Sequence, residues 1–169
     1  MGEVIVLSDR REAKRLQEPA QRHVRTRAEF FFDLACPFTY LAAERVERSF
    51  DEVVWCPAAT DSLQRSTPVD SDLYAASVRR AAEQRAAELR LPLVWPDRFP
   101  APVPAAMRVA SHAVECGRGA GFVLAATRLA FCGGFDLDDP EILAEAAAAA
   151  GVVLDGTLLA ARVARIAQS

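Results

Sequence analysis

The chain has 169 residues, 51% hydrophobic and 25% charged, the composition of one folded domain with a core of its own. Twenty Lys and Arg against 23 Asp and Glu leave a formal charge of −3. No net positive field draws it to nucleic acid or anionic lipid, and neither is expected as a partner. Four cysteines, at 36, 56, 116 and 132, are too few and too scattered for a disulfide scaffold or a zinc cluster, so no metal is expected.

The first residues, MGEVIVLSDRREAKRLQEP, turn charged after a handful of apolar positions, which is no signal-peptide core, and the cytoplasm is the expected compartment. Residues 1–27 read as an N-terminal arm, with a candidate edge strand at 3–7 and a charged, solvated stretch at 9–22 that Pro19 interrupts. The run EFFFDL at 29–34 has the length and apolarity of a central strand covered on both faces. Pro37 suits the first turn of a helix over 37–49, whose expected inner face carries Phe38, Leu41, Ala42, Val46 and Phe50. A second strand around 53–55 closes at Pro57, and strand, helix and strand form a βαβ unit with parallel pairing.

The remainder is helical. A long helix is expected at 70–90, then a proline-punctuated extended loop, LPLVWPDRFPAPVP, at 91–104. Further helices are expected at 105–115, 121–131 and 140–150, the last opened by Asp138 and Asp139 and closed by Gly151, with a short one near 155–166. The domain proper thus covers 28–169, with a helical subdomain at about 62–155. The alanine run at 146–150 falls short of the roughly 20 apolar residues of a membrane span, so no membrane partner is expected.

Cys36 is the residue that chemistry singles out, because it lies between a strand end and a helix start, where ligands bind in open α/β sheets. A helix N-terminus favours the thiolate, which makes a nucleophile or redox centre of the side chain. The plain alternative is a small buried residue filling the corner, and spacing alone leaves both open. Cys56 could resolve a mixed disulfide, but packing beside Trp55 is the stronger reading. Cys116 and Cys132 are expected in the core, His112 in the core or at its rim, and the charged run at 79–90 on a solvated helix face. Trp95 and Phe99 either floor a ligand pocket or anchor their loop.

The segment FFFDLACPFTYLAAERV resembles the active-site segment of the thioredoxin-fold branch that holds the DsbA-like oxidoreductases, kappa-class glutathione transferases and 2-hydroxychromene-2-carboxylate isomerases. The stretch DRFPAPVPAAMRVASHAVECGRGAGFVLAATRLAFCGGFDLDDPEILAEAAAAAGV is similar to the helical insertion of the isomerase and kappa members, with its Arg-Phe-Pro loop and its Ala-x-Arg helix. The resemblance implies an α/β fold: a thioredoxin-like βαβ nucleus with a large helical insertion. It places Cys36 on the first cysteine of the DsbA-like pair, which is the serine position of the isomerases, and Thr39 on the second cysteine. Cys36 and Thr39 are the implied catalytic positions. Pro37, Phe38, Arg98 and Phe99 are the implied cofactor-binding ones.

With no thiol at 39, a dithiol cycle within Cys36-Pro37-Phe38-Thr39 is impossible, and a monothiol oxidoreductase or transferase is the implied activity. Its cofactor would be glutathione or another low-molecular-weight thiol. Alternatives are a glutathione-type isomerase, and a non-catalytic interaction subunit. The family continues with a strand, a cis-proline loop and a further strand, whereas this sequence ends at Ser169, so those C-terminal strands are expected to be missing or replaced. A two-stranded sheet has an edge to cover, and the segment 3–7 or a second copy in a homodimer could cover it.

Overall fold

A computed structural model describes residues 26–58 and 71–154. The candidate strand at 3–7 and the helix near 155–166 lie outside them. In chain order the elements are β1 (Arg27–Phe32), α1 (Pro37–Ser49), β2 (Glu52–Pro57), α2 (Ser71–Leu89), α3 (Pro104–Glu115), α4 (Gly119–Phe131) and α5 (Pro140–Ala150).

Among the described residues the sheet has two strands, β1 and β2, paired in parallel with Phe30 opposite Trp55 and Phe31 opposite Cys56. The expected βαβ unit is therefore present. Its aromatic residues fix the inner face: Trp55 meets Phe30 edge-on at 4.9 Å between ring centres, and Phe32 at 6.1 Å. Outward coverage differs from the expectation for 29–34. The strand alternates, with Phe32 buried and Phe31 65% exposed, so among the described residues one face of β1 is covered and the other is not. Leu34 lies past the strand, buried in the turn to α1.

α1 packs on β2, α2 and α4, while α3 packs on β2 and α4, and α5 lies on α4. The buried side of α1 is rotated from the expected stripe. Tyr40, Leu41 and Ala43 are buried, whereas Ala42 is exposed and Phe38 and Phe50 are 38% and 40% exposed. Tyr40 can go inward because its ring stacks on Phe131 and its hydroxyl donates to the Pro92 carbonyl at 2.9 Å. The core gathers Phe32, Leu34, Leu41, Val109, Phe122, Phe131 and Leu143.

The helix boundaries follow local chemistry. Asp139 caps α5 by accepting the Glu141 N–H at 2.9 Å, Pro140 takes the first position, and Gly151 ends the helix at φ 68°. Gly151 N–H donates to Ala148 O and Val152 N–H to Ala147 O, the paired closure that needs a left-handed residue. The same pair of bonds ends α2, Arg90 N–H to Ala87 O and Leu91 N–H to Ala86 O. There the left-handed position is held by Arg90, at φ 56°. Glu44 on α1 and Arg128 on α4 tie their helices together: Arg128 Nε bonds one carboxylate oxygen and its terminal nitrogen the other, the latter at 2.8 Å. That contact holds the Glu44 carboxyl below the usual carboxylate range, against the opposing effect of burial.

Candidate functional site

The turn from β1 into α1 is built by its own hydrogen bonds. Asp33 accepts the Ala35 N–H on its side chain at 2.9 Å and the Cys36 N–H on its carbonyl at 3.0 Å. The Thr39 hydroxyl accepts the Asp33 N–H at 3.2 Å, and the Leu34 N–H points at Met107 Sδ, 3.4 Å away on α3. This chain reversal leaves Cys36 as the N-cap of α1, half-buried, with extended backbone (φ −95°, ψ 120°) and its carbonyl accepting the Thr39 N–H. Its thiol makes no capping bond, so the sulfur is not committed to the helix end. Pro37 occupies the first helical position, where a missing N–H costs nothing.

Cys36 lines a cleft of about 530 Å³. Asp33, Ala35, Cys36 and Pro37 form one side, Tyr74, Ala75 and Val78 of α2 a second, and the segment 99–104 with Met107 and Arg108 of α3 the rest. The walls are mainly apolar, with Asp33 and Arg108 as the charged groups, the usual make-up of a small-molecule site. Arg108 makes no ion pair among the described residues. The peptide bond between Phe99 and Pro100, both in the lining, is cis.

The sequence-derived site residues separate into three groups. Cys36, Pro37 and Phe99 meet in the cleft lining. Thr39 is buried beneath the turn with its oxygen engaged by the Asp33 N–H, and Phe38 stands outside the lining at the surface. Arg98 pairs with Asp136 at 3.0 Å and borders a separate, small pocket of about 30 Å³. Asp33 lies in the FFFDLACP segment and Arg108 in the Ala-x-Arg of α3, both part of the resemblance, though neither is an implied site position. Tyr74, Val78 and Met107 carry no individual signal in the sequence.

The other cysteines depart partly from expectation. Among the described residues Cys36 is the one cysteine in this lining. Cys56 is half-buried, its thiol 3.8 Å from the Val54 carbonyl. Cys116 is exposed rather than in the core, because it caps the end of α3, and it contacts His112 one turn back at 3.6 Å. Cys132 is half-buried and donates to the Tyr40 hydroxyl at 3.1 Å. Burial, and next that contact, hold the Tyr40 phenol above its ordinary range, so it stays protonated and keeps its bond to Pro92. No group of residues able to hold a metal ion is found among the described residues, and no helix there is long and apolar enough to cross a membrane.

No curated protein matches the chain. In fold it is similar to the solved structure of a selenomethionine 2-hydroxychromene-2-carboxylate isomerase, with a TM-score of 0.61 at 18% identity over 82% of this chain and 73% of that one. Residues 27–164 match the DSBA-like thioredoxin domain, a span that includes both described strands, the Cys36 turn and the five described helices. A parallel βαβ nucleus with a cysteine at the head of its helix, and helices inserted to wall a cleft beside it, thus belongs to the DSBA-like thioredoxin domain family.

Proposed function

We propose that the chain is a thiol-dependent oxidoreductase or transferase that works through Cys36 alone, with glutathione or another low-molecular-weight thiol as its co-reactant. The observation that carries this reading is the placement of Cys36, accessible at the N-terminal end of α1 and facing an apolar cleft of small-molecule size that no second described cysteine lines. The Cys36 thiolate attacks one sulfur of a small disulfide. A new S–S bond forms to Cys36, the old one breaks, and the departing thiolate takes a proton from water. A second small thiol then attacks the outer sulfur of the mixed disulfide, releases the Cys36 thiolate and leaves joined to that sulfur, so one turn exchanges one thiol of the disulfide for another, and two turns consuming two small thiols reduce a substrate disulfide by two electrons.

Pro37 and Phe99 would shape the cleft around the bound thiol, and Thr39 would act by holding the turn that aims Cys36. Phe38 and Arg98 would contribute only at its margins.

A glutathione-type isomerase is the second reading, favoured by Thr39 itself. It stands buried and hydrogen-bonded where a dithiol enzyme keeps its other sulfur, so Cys36 would instead orient the sulfur of a thiol that adds to and leaves an unsaturated substrate.

Intact-mass measurement after exposure to oxidised glutathione tests the first reading. One adduct per chain is expected, mapped to Cys36 and absent in Cys36→Ala. An unmodified Cys36, or an adduct elsewhere with Cys36 inert to alkylation at neutral pH, would refute it.

A further inference from the structure

Arg79 stands on α2 one turn beyond Ala75 and next to Val78, both of which line the cleft. A charged run at 79–90 reads as a solvated face, and the Arg85–Glu88 pair fits that reading. Arg79 does not. Its guanidinium carbon lies 4.9 Å from the ring centre of Trp95 and 5.2 Å from that of Phe99, and its terminal nitrogen donates to the Phe99 carbonyl at 3.0 Å. The two rings sit 4.6 Å apart, and Trp95 Nε1 donates to Glu83, one turn further along α2, at 2.8 Å. A planar guanidinium covers a ring with its face while its edge donates to a carbonyl, which an ammonium group cannot match in one geometry.

The strap at 91–103 has no regular secondary structure; beyond the Val94 N–H bond to the Phe131 carbonyl at 2.7 Å, side-chain contacts hold it in place. Phe99 is the residue through which that hold reaches the cleft, since Phe99 lines the wall on the strap side. We infer that Arg79 is a positioning residue: it fixes Phe99 in the cleft wall and so sets how firmly a bulky ligand is held beside Cys36. The inference rests on Cys36 being the reacting group.

N-methylmaleimide and N-phenylmaleimide test it, because both add the Cys36 sulfur across the same double bond, with the proton supplied by water, and only the phenyl compound carries a ring to pack on the wall. Adducts at Cys36 are followed by peptide mass in wild type, Arg79→Met and Arg79→Lys, with thermal unfolding in parallel. In Arg79→Met the phenyl-to-methyl rate ratio is expected to fall about tenfold, the scale of one partly desolvated ring-stacked cation. The loss should come as a higher half-saturation concentration at an unchanged limiting rate, and Arg79→Lys should recover part of it. A lower melting temperature with an unchanged ratio overturns the inference, since a merely structural residue would do that. No reaction of wild-type Cys36 with either reagent overturns the proposed function instead. The dependence of the strap on Arg79 is then read from Trp95 emission in a Trp55→Phe background, where a red shift is expected in Arg79→Met and not in Arg79→Lys, and equal emission overturns it.

Discussion

The Glu44–Arg128 pair is unequal, and the inequality makes a quantitative expectation. The Glu44 side chain is 12% exposed and that of Arg128 56% exposed. Replacing Arg128 by Met strands a nearly covered carboxylate that had two charge-assisted bonds, at a cost of about 2–3 kcal/mol. Replacing Glu44 by Gln leaves a guanidinium that water can reach, and should cost only about 1 kcal/mol. The double variant should cost less than the two singles together, with a coupling of about 1–2 kcal/mol. Because the folded-state carboxyl is held below its ordinary value, the pair contributes in full above the unfolded carboxyl pKa of about 4.3, and that contribution is lost as pH falls through the depressed folded value. Urea unfolding of the four proteins at pH 7, repeated down to pH 3, reads both effects. The gap between wild type and Arg128→Met should narrow toward low pH. Equal single-variant costs that add without coupling, or a gap that does not change with pH, would refute this account of how α1 and α4 are joined.

Two expectations concern backbone and close packing. Arg90 holds a left-handed position for which the analogous closure of α5 uses glycine, so Arg90→Gly should relieve about 1 kcal/mol of strain and raise the melting temperature by a few degrees, net of glycine's added chain entropy. A lowered melting temperature would count against it. Gly119 is buried where α3 meets α4, and a Cβ there would lie 2.7 Å from Val114 Cγ2 and 3.5 Å from Trp55 Cβ. Val114 is stiff at χ1, so Gly119→Ala should destabilise by about 1–3 kcal/mol despite alanine's higher helix propensity, and an unchanged or higher urea midpoint would contradict it.

Among the described residues, local signals in the sequence were enough to place the elements. Pro37, the Asp139-Pro140 start and the Gly151 stop each act through their own backbone, and the helices they bound lie where those residues put them. The parallel pairing of β1 with β2 follows from the length of the crossover. Faces were less legible. Phe31 and Phe38 are apolar yet exposed, while Tyr40 is buried, because partners far along the chain, Phe131 and the Pro92 carbonyl, receive it. The site was legible at Cys36 and Pro37 and, through the resemblance, at Phe99 of the distant loop. Tyr74, Met107 and Arg108 become site residues through tertiary juxtaposition, and no spacing rule links a position on α2 or α3 to a thiol at the head of α1.

The uniform offset of the β-ladder has a consequence for the order of folding. Every pair from Arg27 with Glu52 to Phe32 with Pro57 spans the same 25 residues, a short loop to close, so the unit bearing Cys36 can assemble early from near-neighbour contacts. The facing walls of the cleft, at positions 74–78 and 99–108, must come from much further along the chain. Closing those longer loops orders more chain, so contact order favours assembly of the nucleus that carries the thiol ahead of the cleft walls. During synthesis, Cys36 would therefore spend an interval on the strand and helix with the walls of its cleft not yet in place.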